Sequence, residues 1–227
     1  DYFGHNWRDG YRSLRIDSLL RGSASHTVAD FKRYQADVDV QQRDVFVPFL
    51  KPLTDLSPRA DTLRQMLQQW NGKATRERPE PLVMDVFLQN LREMTWDEPV
   101  FANAPDPEDA PLVELFRTAR ESRWLDVQAT EPVEDADALL TRVIEATADT
   151  MAAQYGWNPS GWRWADHHTL MLRHLTGSDA LRPLWRGPYE YPGFEGTLSP
   201  ARGHTVTHTA SQRVIVDFST APPTGYG

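Results

Sequence analysis

Histidines are the residues of this sequence whose possible chemistry is easiest to name. The run Asp166-His167-His168 is followed by His174, and His204 and His208 lie four positions apart. Imidazole nitrogens bind zinc, and a nearby carboxylate often orients the second ring nitrogen. The spacing matches no named zinc motif. We therefore favour the alternative, in which these histidines are polar loop residues or cap backbone groups.

Arg12 poses a different question because it lies on the apolar face of a predicted helix. Arg12, Ile16 and Leu19 follow the i, i+4, i+7 spacing that places side chains on one side of a helix. A guanidinium there must either reach past the edge of the face or find a buried acceptor. A buried charge without its partner costs roughly 3–5 kcal/mol. The spacing alone leaves both possibilities open.

Several other kinds of site are disfavoured. The sequence has no cysteine, which excludes disulfides, thiolate nucleophiles and cysteine zinc sites. It also lacks the Gly-x-Ser-x-Gly motif of a nucleophile elbow. Glu134 and Asp135 are better explained as charges at a helix start than as a glycosidase pair. Trp162-Arg163-Trp164 could stack on a base, but packing in a core or an interface suits an acidic chain better.

The charge balance separates classes of partner. The 227 residues include 32 acidic and 24 basic side chains, a net charge of −8. Such a chain does not favour a phosphate backbone, whereas a hard cation such as calcium suits it. No window approaches 18 consecutive apolar residues. We therefore expect no nucleic-acid partner and no membrane span.

The elements that must position these residues are mostly helices. Apolar side chains recur at helical spacing, with proline or an N-cap residue at the starts and glycine at several ends. Thr27 and Asp30 resemble a capping box. The helices are predicted over Tyr11 to Arg21, 28–38 with a bend before 46–53, 58–70, 80–94, 112–119 and 133–155.

The chain after residue 156 is rich in tryptophan and glycine, which favours loops and strands over helices. Arg213 to Phe218 alternates in the manner of a strand, and Thr205 to Thr209 is its candidate partner. A single hairpin is marginal alone, so we expect the strand to join a sheet supplied from outside the segment. The fold class predicted from the residues is α+β, a mostly helical segment with C-terminal strands.

Four segments resemble the penicillin acylase family. Asp1 to Leu20 is similar to the β-chain stretch with an Asp, an aromatic pair, a Trp and then Gly-Tyr-Arg-x-x-Arg-Ile-x-x-Leu-Leu. Trp162 to His174 is similar to a Trp-x-Trp-Gly-x-x-His segment, although Ala165 replaces its glycine. Gly187 to Thr197 resembles a proline–glycine turn before a Thr, and Ser211 to Phe218 resembles a Ser-x-Arg-hydrophobic-Val-Asp-Leu strand. The four follow the family order.

The resemblance implies an N-terminal-nucleophile hydrolase whose single precursor cuts itself into a heterodimer of α and β chains. The implied fold is a four-layer αββα sandwich with helical elaborations. The α-amine of a terminal serine would act as base, and the serine oxygen would attack an amide carbonyl to form an acyl-enzyme. An Asn and backbone donors would stabilise the oxyanion. None of these catalytic groups lies in this chain.

Two residue roles carry over from the resemblance. Arg12 falls on the arginine that supports the oxyanion Asn and the precursor cut. Asp1 falls on an acid that serves as a calcium ligand in the family, and the further oxygen ligands must come from elsewhere. The substrate would be a small acylated amide. Penicillin, cephalosporin, acyl-homoserine-lactone and lipopeptide amides all remain open, the first two implying antibiotic-related metabolism.

The start at Asp1 without a methionine leads us to expect an internal part of a β-subunit. We predict an initial segment and helix leading from the catalytic core (1–22), a helical insertion (23–156) and a return with strands joining the core sheet (157–227). The partners would be the remainder of the β-subunit and the α-subunit, in a periplasmic or extracellular location. The alternative is a non-catalytic helical interaction module that docks a partner through its Trp-rich tail.

Overall fold

A computed structural model describes residues 9–101, 107–131, 133–210 and 212–227. The chain divides into two compact units. The first comprises the described residues of Asp1–Asp9, Gln42–Asn71 and Pro79–Trp162, and the second comprises Gly10–Gln41, Gly72–Arg78 and the described residues of Arg163–Gly227. The three predicted segments 1–22, 23–156 and 157–227 stay a prediction.

Seven α-helices form in the described parts of the chain, and the predicted starts and ends explain most of their bounds. The helices are α1 Tyr11–Arg21, α2 Val28–Gln35, α3 Gln41–Phe46, α4 Pro58–Gln69, α5 Glu80–Thr95, α6 Asp109–Thr118 and α7 Ala136–Tyr155. The helix predicted over 46–53 is wrong, because α3 ends at Phe46 and only a short 3₁₀ turn, Val47–Leu50, continues the chain directly after it. Proline at its second position suits this turn, since the ring fixes φ and the missing N–H would be unpaired in a first turn.

Local capping explains where these helices begin. Thr27 accepts a hydrogen bond from the backbone N–H of Asp30, whose carboxylate accepts the N–H of Thr27 in return, which confirms the predicted capping box. Ser57 caps α4 before Pro58 in the same way, through the N–H of Ala60. Each such cap contributes about 1 kcal/mol by satisfying a donor that the helix leaves open.

The first unit is built around α5, which is buried on nearly every side. Helices α4 and α7 both pack against it, and an apolar surface all round a helix is what burial between neighbours requires. The side chains at the centre of this core are fully buried; they are Leu63, Leu67, Leu82, Phe87, Leu88, Leu91, Val143 and Ile144.

The second unit holds α1, α2 and five strands in two small sheets. The strands are β1 Thr169–Leu172, β2 Arg186–Glu190, β3 Thr205–Val206, β4 Ile215–Asp217 and β5 Thr224–Tyr226. The first sheet has the order β2-β1-β3, with β2 antiparallel and β3 parallel to β1. The second is the antiparallel pair β4 and β5.

The expected pairing of Thr205–Thr209 with Arg213–Phe218 is wrong. Thr205 and Val206 pair instead with Thr169 and Leu170 of β1. Val206 and Ile215 are both buried, yet they belong to different sheets. Alternation predicts that a segment is a strand, but it carries no information about which neighbour supplies the backbone hydrogen bonds.

The predicted α+β class, a mostly helical chain with strands near its C-terminal end, is confirmed. Its place in a four-layer αββα sandwich stays a prediction. None of the helices in the described ranges is both long enough and apolar enough to cross a membrane.

Candidate functional site

Arg12 lies in the first turn of α1, directly after the buried Tyr11. Its side chain is exposed, and its Nε donates a hydrogen bond to the carbonyl oxygen of Thr197 at 3.2 Å. The structure therefore supplies both features that the sequence left open, an exposed guanidinium and an acceptor. Among the described residues, the terminal nitrogens of Arg12 make no hydrogen bond.

Thr197 is held rigidly in a tight turn and is almost fully buried. Its hydroxyl accepts a hydrogen bond from the N–H of Phe194 at 3.1 Å and lies 2.7 Å from the carbonyl oxygen of Ser199. The N–H of Thr197 also donates to the carbonyl oxygen of Phe194. The carbonyl that receives Arg12 thus belongs to a residue fixed by its own side chain and backbone.

Gly193 opens this turn in a conformation that only glycine adopts readily. Its φ is +100°, and a Cβ at this position would lie 3.0 Å from the carbonyl oxygen of Ser199. The Gly193 N–H donates to the carbonyl oxygen of Ala74, and its own carbonyl oxygen accepts from Nε1 of Trp164, both within 2.9 Å. Trp164 is buried and stacks on His168 with ring centroids 4.4 Å apart. The buried indole therefore anchors the turn.

A cluster of charged side chains surrounds Arg15, in the second turn of α1. Arg15 forms a two-pronged ion pair with Asp37, with Nε to Oδ1 at 3.1 Å and Nη2 to Oδ2 at 2.7 Å. Asp39 lies 3.4 Å from Nη2 of Arg15 and 2.7 Å from Nζ of Lys73. The backbone carbonyl oxygen of Asp37 accepts a hydrogen bond from the N–H of Ser199.

The electrostatics of this cluster favour an ionised Asp37. Burial of the carboxyl raises its pKa, but hydrogen bonds from Arg15 and from the N–H of Asp39, together with the charge of Lys73, outweigh that effect. The pKa of Asp37 is therefore lowered from its ordinary value. An ionised carboxylate that accepts two hydrogen bonds holds the guanidinium of Arg15 strongly.

The segments that carry the family resemblance meet in this one place. Arg12 bonds to Thr197, Trp164 bonds to Gly193, and Nη2 of Arg213 donates to Oγ of Ser199 at 3.1 Å. The six residues that make these three contacts all lie in the second compact unit. Sequence reasoning missed the groups that accept the arginine hydrogen bonds, namely the carbonyl of Thr197 and the carboxylate of Asp37. The Gly-Thr pair at 196–197 was a signal for the former, and no sequence signal marked Asp37.

The histidines have structural surroundings. His168 is buried, and its Nδ1 lies 2.7 Å from the carbonyl oxygen of Tyr191, which requires a proton on Nδ1. Burial lowers the pKa of His167, and the nearby His204 adds to this effect while Asp166 opposes it. His174 and His208 bond locally, to the hydroxyls of Thr176 and Thr207.

The two acids weighed as a glycosidase pair are structural. Asp135 is the N-cap of α7 and accepts the N–H groups of Asp137 and Ala138. Glu134 is buried and accepts from Arg142 and the N–H of Val127. Burial raises the pKa of Glu134, but hydrogen bonds from Thr130, Val127 and Arg142 bring it below the ordinary value.

No metal site is assembled within the described ranges, where no three His, Cys, Asp or Glu side chains come together in a metal-binding arrangement. Asp1, the predicted calcium ligand, lies outside the described residues. Its role stays a prediction.

Comparison with known proteins identifies one family. The family described as Penicillin amidase matches residues 1–226 of the chain, which is nearly its whole length. No curated protein matches the chain. The match spans both compact units and all of the segments that converge on Thr197.

Proposed function

The chain belongs to the penicillin amidase family, and on that premise we propose that the complete protein hydrolyses acyl amides with a terminal serine located outside this chain. The serine oxygen attacks the amide carbonyl, its proton passes through the free α-amine to the leaving amine, and water then releases the acyl group. The bond broken is the acyl C–N bond. This chain contributes positioning groups to that reaction.

Arg12 is the residue to which we assign the most direct supporting role. A guanidinium has five N–H donors and no acceptor, so it can hold the oxygen of an Asn side chain and aim the Asn N–H₂ at a developing oxyanion. The single observation that supports this role is the geometry of Arg12. Its Nε is fixed on the carbonyl of Thr197, while its terminal nitrogens bond to no described residue.

The test uses the full precursor that contains this chain, because the nucleophile lies elsewhere. Precursor cleavage is followed by gel electrophoresis, and turnover is measured on a panel of N-acyl p-nitroanilides with acyl groups from acetyl to long alkyl and arylacetyl. We expect Arg12→Leu to slow both cleavage and turnover by about 10²–10³-fold, the range seen when oxyanion support is lost. Arg21→Gln is the matched control, since Arg21 lies on the same helix and, among the described residues, pairs with the exposed Asp17 alone.

Two results would contradict the proposal. Wild-type cleavage and turnover in Arg12→Leu would show that Arg12 does not support the oxyanion. A folded, processed protein that hydrolyses no member of the panel and is not labelled at a terminal serine by a sulfonyl fluoride would exclude the hydrolase. That second result would favour the interaction module with a Trp-rich docking tail.

The remaining assignments follow from the same premise. We propose that the rest of the β-subunit and the α-subunit of one precursor are the partners of this chain, and that the substrate is a small acylated amide. A periplasmic or extracellular location and structural calcium with Asp1 among its ligands complete the proposal. No catalytic step depends on the calcium.

A further inference from the structure

The contacts around Arg12 and Arg15 form a closed ring. Arg12 bonds to the carbonyl of Thr197, and the Thr197 hydroxyl lies 2.7 Å from the carbonyl oxygen of Ser199. The N–H of Ser199 donates to the carbonyl of Asp37, and the Asp37 carboxylate receives Arg15. Arg15 lies three residues after Arg12, on the same side of α1. The ring therefore links Arg12 and Arg15, in successive turns of α1, to the loop that contains Thr197 and Ser199.

The two arginines differ in how firmly they are held. Arg12 is exposed and, within the described part of the chain, has one hydrogen bond, to a neutral carbonyl. The Arg15 side chain is only 18% exposed and has two bonds to a carboxylate that is itself only 10% exposed. Charge-assisted two-pronged pairs are roughly twice as strong as neutral hydrogen bonds. Arg15 thus determines where this face of α1 lies, and the position of Arg12 depends on it.

We propose that the Arg15–Asp37 pair is a positioning device that sets the place of the Arg12 guanidinium, an inference that rests on the role proposed above for Arg12. Neither residue touches the reacting atoms. The pair acts by keeping the first turn of α1 at a fixed distance from the turn at Thr197. When Asp37 loses its charge, Arg15 can still pair with Asp39, whose carboxylate lies 3.4 Å from Nη2 of Arg15, and α1 would shift towards it.

Such a shift matters because displacement of a positioning group by about 1 Å can lower turnover by about 100-fold. We expect Asp37→Asn to lower kcat and the rate of precursor cleavage about tenfold, with KM within about twofold of the wild-type value. Asp37→Glu keeps the carboxylate and should restore most of the loss. Turnover is expressed per reactive serine, counted by sulfonyl fluoride labelling, so that misfolded molecules do not contribute.

Lys73→Gln is the matched control. Lys73 contacts the same two carboxylates, at 2.7 Å from Asp39 and 3.6 Å from Asp37, but it does not belong to α1. Its replacement removes a charge from the cluster and leaves the Arg15–Asp37 pair in place. We therefore expect Lys73→Gln to lower the melting temperature, as we also expect for Asp37→Asn, while kcat stays within about twofold of wild type.

A double-mutant cycle separates positioning from general stability. If the pair acts through Arg12, the tenfold effect of Asp37→Asn should nearly disappear in an Arg12→Leu background, because the group being positioned is absent. Should Asp37→Asn fail to fold, Arg15→Lys and Arg15→Gln replace it in the cycle. Arg15→Lys keeps the charge and loses the two-pronged geometry, so its loss should be the smaller one.

Three outcomes overturn the inference. One is a lower melting temperature in Asp37→Asn with wild-type kcat per serine, which is a purely structural effect. The second is an equal loss in both backgrounds, which shows an effect independent of Arg12. The third is wild-type behaviour of Arg12→Leu itself, which refutes the proposed role of Arg12 and the inference together, whereas the first two leave that role intact.

Discussion

Replacement of Gly193 by alanine tests how the turn at Thr197 is built. At φ +100° an added side chain is strained by about 1–2 kcal/mol, the cost of a left-handed backbone. The new Cβ would also lie 3.0 Å from the carbonyl oxygen of Ser199 and 3.3 Å from Oγ1 of Thr197. Crowding of this kind costs roughly 1–3 kcal/mol more. We therefore expect a local destabilisation of about 2–5 kcal/mol.

Gly177→Ala is the control that isolates the crowding. Gly177 also has a positive φ, +64°, but a Cβ there meets nothing within 4 Å. This variant should lose only the backbone contribution, about 1–2 kcal/mol. The difference between the two variants measures the cost of displacing the Ser199 carbonyl and the Thr197 hydroxyl.

Native-state hydrogen exchange in the mature protein is the assay, because it gives opening free energies for single amides. The informative amides are those of Gly193, Phe194 and Ser199, whose partners are the Ala74 carbonyl, the Thr197 hydroxyl and the Asp37 carbonyl. Protection at these amides should fall in Gly193→Ala and not in Gly177→Ala. Equal protection in the two variants would refute the argument that close packing requires glycine at position 193.

Three further predictions concern the same unit and the proposed calcium site. The stability that Asp37 contributes should be present above about pH 4 and should fall as the pH drops through its lowered pKa, since the carboxylate pairs with Arg15 only when ionised. The free energy of unfolding, measured by urea titrations from pH 5 to 3, should therefore depend less on pH in Asp37→Asn than in the wild type. An equally steep loss in both proteins would count against the pair. Trp164→Phe should cost about 1–3 kcal/mol by leaving the Gly193 carbonyl without its indole donor, measured by the same exchange experiment, and unchanged protection at Gly193 would contradict it. Removal of calcium by a chelator should lower the melting temperature of the mature protein, and re-addition of calcium should restore it. The melting temperature of Asp1→Asn should not depend on calcium. A wild-type melting temperature that chelation does not change would argue against the calcium site.

Local elements were predictable because their causes lie within a few residues of one another. The first helix has the bounds expected from its spacing and the glycine that follows, Tyr11–Arg21. The capping box of Thr27 and Asp30 formed as expected, and α7 ends before Gly156 with φ +69°. For α2 a side chain satisfies a nearby backbone group, and for α7 a glycine permits a left-handed backbone conformation, and both effects are visible in the sequence.

Strand pairing was not predictable in the same way. The alternation over Arg213 to Phe218 correctly indicated a strand, of which Ile215–Asp217 forms. Its partner is Thr224–Tyr226, and the expected partner at Thr205 pairs with β1. Both choices satisfy the same backbone groups, so the decision depends on packing between distant segments.

The sequence by itself determined most of the helices, the capping box of α2, the acidic cysteine-free character of the chain and, through four short motifs, its family. Only the tertiary structure decided what those motifs do together. The acceptor of Arg12 lies 185 residues away along the chain, and the anchor of Arg15 is an aspartate that no motif marks. A guanidinium is satisfied by whatever oxygen the fold brings within about 3 Å, and folding alone determines which oxygen that is.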